Sequence, residues 1–177
     1  MIIKGMLRAM AALGLLLGPL PLVANSDELK TELLFEMTID LDPPQVVGNT
    51  PSGGRRILYV KGGTFSGPKV KGEVLPGGGD WILVRSDGVF VLNGRLTLRT
   101  DDGQLIYVSF PGIFDAPPEV FQRMQKGETV DPSEYYFRTT PVFEAAAEKY
   151  KWLNRVLGVA VGRRTAANVL YTVYAIR

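Results

Sequence analysis

Residues 90–110 read FVLNGRLTLRTDDGQLIYVSF, and this stretch decides the fold class. Apolar and polar residues alternate on both sides of the Asp-Asp-Gly triplet at 101–103, which is the pattern of a strand with one buried face. Asp-Gly between two alternating segments is a strong signal for a β-hairpin. The stretch therefore predicts two antiparallel strands, 90–100 and 104–110, joined by a tight turn.

Further strand segments, separated by Gly, Pro and Asp, lie on both sides of this hairpin. Asp87-Gly88 predicts a second hairpin, and Pro117-Pro118 with Gly127 predicts one short helix near 117–126. Residues 145–150 are compatible with a helical turn. The other predicted strands cover 33–41, 56–61, 69–75, 81–85, 135–143, 152–162 and 168–176.

About eight to nine antiparallel strands with one short helix predict an all-β protein that forms a closed or nearly closed β-barrel. The interior of such a barrel is wide enough to hold a small ligand. The alternation shows which residues share a face of a strand, but it does not decide which face lines the interior.

The N-terminal segment has the three parts of a secretory signal peptide. Lys4 and Arg8 form a basic start, an apolar run covers 9–23, and small residues lie at Ala24 and Ser26. We predict a signal peptide at 1–26, a single barrel domain at 27–177, and a secreted, periplasmic protein. The alternative is an uncleaved anchor, which would be the chain's one contact with a membrane.

The composition excludes several kinds of chemistry, because the chain has no Cys and no His. Catalytic triads with an imidazole base, thiolate nucleophiles and ordinary zinc or copper sites are therefore ruled out. We predict no cofactor and no metal. Loss of Lys4 and Arg8 with the signal peptide leaves equal numbers of basic and acidic side chains. The net charge of the mature chain therefore does not predict nucleic-acid binding.

Two carboxylates, Glu73 and Asp80, flank the Pro-Gly-Gly-Gly turn at 76–79. Paired carboxylates can divide acid and base roles when their environments separate their pKa values. The glycines allow a ligand to approach the backbone closely, or they serve only the geometry of the turn. The alternative for Glu73 is a structural ion pair with Arg95 or Arg99, and for Asp80 it is a cap on the turn.

Arg99 and Arg138 lie within strand segments, where a charged side chain is costly unless it meets a carboxylate or an anionic ligand. An ion pair with Glu73 or Glu134 is the structural alternative. Aromatic residues with polar tips, Trp81, Tyr107 and Tyr136 among them, can stack a flat ligand and donate a hydrogen bond, but such residues are also ordinary core.

Five motifs in order resemble the domain-of-unknown-function family 3237, also called uncharacterised protein family 0311. They are the segments 62–67, 72–81, 98–103, 135–139 and 152–155, so the resemblance spans nearly the whole mature chain. It implies an antiparallel β-barrel, often a homodimer, without a settled general activity. Most members of that family lack a signal peptide, so secretion would set this chain apart.

We expect the polar residues of these strands to cluster around one internal pocket for a small molecule. The predicted catalytic residues are Asp80, Glu73, Tyr136 and Arg138, and the predicted ligand-binding residues are Trp81, Arg99, Tyr107 and Asn154.

Three functions remain open. The first is a metal-free lyase, isomerase or hydratase acting on a small aromatic or oxygenated apolar compound, with a carboxylate as base and Arg and Tyr stabilising and protonating the intermediate. The second is a non-catalytic periplasmic carrier of lipocalin type. The third is a structural or assembly protein without a small ligand.

Overall fold

The computed structural model describes residues 28–165 and 168–177, so the predicted signal peptide lies outside the described residues. Its strands are β1 (Thr31–Leu41), β2 (Gln45–Thr50), β3 (Gly53–Ser66), β4 (Lys71–Val74), β5 (Gly79–Val84), β6 (Phe90–Thr100), β7 (Leu105–Asp115), β8 (Tyr136–Thr139), β9 (Val142–Ala145), β10 (Gly158–Arg164) and β11 (Asn168–Ile176).

Eight of these strands close a barrel, which confirms the predicted fold class. The ring runs β1-β3-β5-β6-β7-β8-β10-β11 and returns to β1, and every neighbouring pair is antiparallel. Three further strands extend the wall: β2 pairs with β3, β4 pairs with β3 and β6, and β9 pairs with β7.

Both predicted Asp-Gly hairpins are present. Val84 pairs with Phe90 across the first turn, and Arg99 pairs with Leu105 across the second. Gly88 and Gly103 have φ angles of 89° and 83°, a left-handed conformation that side chains other than glycine rarely adopt. The turn chemistry of the sequence therefore places β6 beside both β5 and β7.

The strand β6 shows which face is interior. Leu92, Leu96 and Leu98 are at most 4% exposed, whereas Arg95 and Arg99 on the alternate positions are exposed. Apolar side chains thus fill the barrel, and the polar partners in the alternation point to solvent. Near the turn that joins β6 to β7, buried side chains fill the interior of the barrel. At the other end of these strands the interior opens into a cavity.

The predicted helix is confirmed as α1 (Pro118–Gln125), which begins after Pro117 and is followed by Gly127 with a φ of 80°. Phe121 of α1 packs on Phe90 and Phe114, with ring centroids 5.0 and 6.2 Å apart, so the helix lies at the open end of the barrel. In the part of the chain that the structure describes, no helix is long and apolar enough to cross a membrane.

The predicted strand 56–61 is longer in the structure, at Gly53–Ser66, and two other predicted strands are divided or shortened. The segment 135–143 forms two strands, β8 and β9, that are separated at Thr140-Pro141. Proline has no backbone N–H for a ladder, so a continuous strand is interrupted there. β2 was not predicted, because its two valines, Val46 and Val47, are adjacent and do not alternate with polar residues. Both valines are exposed in the structure.

The predicted strand 152–162 begins only at Gly158. Residues Glu148–Arg155 form a 3₁₀ helix, in which Tyr150 and Leu153 are each 1% exposed. Their spacing of three residues puts both side chains on one face of a 3₁₀ helix, and this packing against the barrel outweighs the strand propensity of the segment.

Candidate ligand pocket

A cavity of about 350 Å³ opens at the end of the barrel beside α1. Its walls are largely apolar, and they come from strands on every side of the ring. The apolar side chains of the wall include Leu58, Ile82, Leu92, Phe110, Phe114 and Phe137. A concave, mostly apolar space of this size with a few polar groups is typical of a small-molecule site.

Asp80 on β5 contributes a carboxyl group to this apolar wall. It shares the inner face of β5 with Ile82, which is buried. The backbone N–H of Asn93 on β6 donates a hydrogen bond of 2.8 Å to Oδ1 of Asp80. Burial raises the pKa of Asp80 from 3.8 to about 6, and the bond from Asn93 only partly opposes this effect.

Tyr171 on β11 supplies a second polar group to the cavity. Its ring packs edge-on against Phe110 and Phe137, at centroid distances of 5.9 and 5.4 Å. Burial raises the pKa of the Tyr171 phenol well above its ordinary value, and the negative charge of Asp80 raises it further. The phenol therefore stays protonated at neutral pH and is a hydrogen-bond donor.

Two arginines line the same cavity, Arg56 on β3 and Arg164 at the end of β10. The guanidinium of Arg56 lies over the rings of Phe90 and Phe121, 5.5 and 5.9 Å from their centroids. Burial lowers the pKa of Arg164, and the positive charge of Arg56 lowers it further, so the two side chains share one region of the pocket.

Among the eight predicted site residues, Asp80 lines this cavity and the other seven do not. The predicted convergence around one internal pocket is therefore wrong for those seven. Glu73 and Arg99 form an ion pair on the outer face, with Nε of Arg99 2.6 Å from Oε1 of Glu73 and both side chains about half exposed. This is the structural alternative that the sequence left open for Glu73.

The aromatic members of the predicted set also lie on the outside of the wall. Trp81 is on the outer face of β5, where Arg95 lies 5.7 Å from its ring centroid. Tyr107 and Tyr136 are 36% and 52% exposed, and Arg138 lies 5.2 Å from the ring of Tyr136. These side chains cover the barrel surface, because each occupies the alternate position to a buried neighbour.

Asn154 has a structural position in the 3₁₀ helix. Its side-chain amide accepts a hydrogen bond of 2.7 Å from the N–H of Ala145 and donates one of 2.9 Å to the carbonyl of the same residue. The side chain thus pairs with β9 as a short strand would, and it does not line the pocket.

Arg56, Arg164 and Tyr171 were not among the predicted site residues, although the sequence carries a signal for two of them. Arg56 alternates with Leu58 and Val60, so it is a charged residue on an otherwise apolar face. Tyr171 alternates with the apolar residues at 169, 173 and 175 in the same way. A polar residue among apolar residues at two-residue spacing is the pattern of a group that faces the interior.

The fold and the cavity together define a closed antiparallel β-barrel with a pocket of ligand size. The chain belongs to the family described as "Protein of unknown function (DUF3237)", whose sequence model matches residues 29–176. It is 40% identical over 155 residues to a UPF0311 protein of Clostridium acetobutylicum, covering 87% of this chain and 98% of the relative. It is 34% identical to a UPF0311 protein of Rhodopseudomonas palustris, covering 84% and 97%.

Solved structures show the same architecture. A conserved protein of unknown function from Rhodopseudomonas palustris matches with a TM-score of 0.79 at 33% identity, covering 85% of this chain and 98% of that one. A β-barrel-like protein from Acinetobacter baumannii matches with a TM-score of 0.75 at 36% identity, covering 87% and 99%. An enzyme from Penicillium herquei shares the fold at 20% identity, with a TM-score of 0.62 over 84% and 95%.

Proposed function

We propose that the open end of the barrel binds a small, largely apolar or aromatic oxygenated molecule and that Asp80 transfers a proton to or from it. The reaction class is that of a metal-free lyase, isomerase or hydratase. One observation carries this proposal: a carboxyl group lies in an apolar cavity of about 350 Å³, and burial raises its pKa to about 6.

The chemistry follows from that pKa. A carboxyl group that titrates near neutral pH is present in both its acid and its base form, so it can accept a proton and return it within one turnover. Tyr171 lines the same cavity as a protonated phenol, which can donate a hydrogen bond to an oxygen that gains negative charge. Together they supply a base and an oxyanion donor without His, Cys or metal.

A carrier without catalysis is the second candidate, and the lining of the cavity supports it. Phe110, Phe114 and Phe137 present aromatic surface, and such walls bind flat apolar molecules by burial alone. The two candidates differ in what Asp80 does. In the carrier it would contribute one hydrogen bond to the ligand, and in the enzyme it would exchange a proton.

The test begins with a ligand screen of the purified protein by thermal shift, with mass spectrometry of each hit to detect conversion. Asp80→Asn should abolish conversion and leave binding nearly intact if Asp80 is the acid–base group. Asp115→Asn is the matched control, because Asp115 is exposed on β7. Conversion by Asp80→Asn at the wild-type rate would refute the catalytic role, and a loss of affinity alone, of about 1.5–3 kcal/mol, would favour the carrier.

We also propose that the protein is exported. The family match leaves residues 1–28 outside it, and the relatives are covered over 97–98% of their length while this chain is covered over 84–87%. The additional length therefore includes the segment with the basic start, the apolar run and the small residues of a signal peptide.

A further inference from the structure

The strongest unexplained feature of the pocket is a pair of positive charges on its wall. Arg56 follows the inner-face register of Leu58 and Val60 on β3, and Arg164 follows that of Ala160 and Gly162 on β10. Both side chains line the cavity, Arg56 half-buried and Arg164 exposed at its mouth.

Four of the other arginines in residues 28–165 and 168–177 form an ion pair, and the rest lie on the outer surface or contact neutral groups. Arg85, Arg99, Arg123 and Arg177 each form an ion pair with an Asp or Glu. Within residues 28–165 and 168–177, no carboxylate oxygen lies within 4 Å of the guanidinium of Arg56 or Arg164. Neither arginine therefore forms an ion pair within the described part of the protein.

The acidic residues of the pocket do not change this conclusion. Asp42 and Asp80 line the same cavity, yet neither forms an ion pair with the two arginines. The pKa of Asp80 is raised by burial, and a positive charge does not figure among the effects that oppose the rise. The wall thus carries two cations close enough for the charge of Arg56 to lower the pKa of Arg164, and an anion bound between them would relieve that repulsion.

We propose that the pocket selects ligands with an anionic oxygen group, a carboxylate, phenolate, enolate or sulfonate, which Arg56 and Arg164 bind together. The remainder of the ligand is flat and apolar, and it lies against the phenylalanine wall toward Asp80. This inference rests on the proposed ligand pocket and names the class of molecule that the pocket takes.

The chemistry of arginine fits this class. The guanidinium presents N–H groups in a planar fork that matches a carboxylate or sulfonate, and it also stacks on aromatic faces. Arg56 already lies over Phe90 and Phe121, which holds it at the cavity without an ion pair. An incoming anion would supply the missing counter-charge to both arginines at once.

The test uses two fluorescent probes with the same skeleton, anilinonaphthalene sulfonate and phenylnaphthylamine, which differ only in the sulfonate. Wild-type protein should bind the anionic probe more tightly than the neutral one. Arg56→Gln and Arg164→Gln should each lower the affinity for the anionic probe by about tenfold or more. The affinity for the neutral probe should change by less than about twofold. Arg164→Lys should restore part of the loss, because the charge returns without the fork.

Arg163→Gln is the matched control, because Arg163 is on the outer face of β10 and donates to Oγ1 of Thr172. The Arg163→Gln variant should bind both probes with the affinity of the wild-type protein. A thermal unfolding curve for each variant separates loss of the fold from loss of the site, and unchanged binding of the neutral probe does so independently.

Three results would overturn the inference, and they are distinguishable. An equal loss of affinity for both probes in the arginine variants would mean that Arg56 and Arg164 only shape the cavity. Equal affinity of wild-type protein for both probes would remove the anion preference but leave the pocket as a small-molecule site. Failure of both probes to bind would contradict the proposed pocket itself.

Discussion

Gly94 on β6 lies directly across from Phe110 on β7, and the ring of Phe110 covers it so closely that a Cβ atom on Gly94 would lie 2.1 Å from the ring. Phe110 also forms part of the pocket wall and packs on Tyr171. The absence of a side chain at Gly94 therefore sets the position of an aromatic ring in the candidate site.

Gly94→Ala should move the Phe110 ring and destabilise the barrel. Forcing an extra methyl group into a packed interior costs about 1–3 kcal/mol, which chemical denaturation can measure. Asn93→Ala is the control, because the Asn93 side chain is exposed on the outer face of the same strand. If Gly94→Ala unfolds at the wild-type denaturant concentration, the ring is free to move and does not need this glycine.

The sequence predicted the barrel well because turn chemistry and alternation are local signals. Both Asp-Gly hairpins and α1 were found from a few residues each. Which residues face the interior of the barrel was harder to predict, because a shift of one residue exchanges the two faces of a strand. Arg99 shares its face with Thr97 and Arg95, whereas Arg56 shares its face with Leu58 and Val60, and this difference separates the outer arginine from the inner one.

The composition of the site could not be predicted from one strand at a time. Asp80 is on β5 and Tyr171 is on β11, and β3 and β1 lie between them in the ring. Only closure of the barrel brings these two side chains to one cavity. Glu73 and Arg99 are the simpler case, because they are direct neighbours in the register of a single strand pair, β4 and β6.

Asp102 at the second hairpin turn forms a network that joins the turn to the 3₁₀ helix. It accepts hydrogen bonds from Lys149, Thr100 and the buried Tyr150. These donors hold the pKa of Asp102 far below its ordinary value, with the bond from Lys149 as the largest cause. A depressed pKa in the folded state means that the carboxylate stabilises the protein at neutral pH and that this contribution is lost in acid.

Asp102→Asn should therefore lower stability at neutral pH, and its difference from wild type should shrink as the pH falls through the acid range. Urea unfolding at several pH values measures this dependence. Asp101→Asn changes the adjacent residue, whose contact with Lys71 is 3.5 Å long and exposed, and it should have little effect. A difference between Asp102→Asn and wild type that stays constant with pH would contradict the electrostatic role of the network.

The export proposal predicts a mature protein that begins at or near Asp27. Expression of the full chain in a Gram-negative host should place the protein in the periplasmic fraction, and N-terminal sequencing should find the cleaved end. A variant that lacks residues 1–26 should stay in the cytoplasm and should fold, because the family match begins after this segment. Recovery of a membrane-bound form with Met1 intact would show that the segment is an uncleaved anchor.

The ionised form of Asp80 should reduce the stability of the folded protein, because the carboxylate is buried. Its pKa is 3.8 in the unfolded chain and about 6 in the folded one, so between these values the folded protein binds more protons. Stability therefore falls as the pH rises from about 4 to about 6, and the full cost is present above that range. Arg56 and Arg164 line the same cavity, but no positive charge figures among the causes of the Asp80 shift, which are burial and the bond from Asn93.

Asp80→Asn cannot ionise, and its amide oxygen can still accept the N–H of Asn93. The variant should be more stable than wild type by about 1–3 kcal/mol at about pH 8, and the gain should vanish near pH 4. Urea unfolding at both pH values measures it, with Asp115→Asn as the control on an exposed strand position. A variant less stable than wild type at about pH 8 would mean that the ionised carboxylate is stabilised in the pocket, which would remove the reason for a pKa near neutrality and with it the acid–base role.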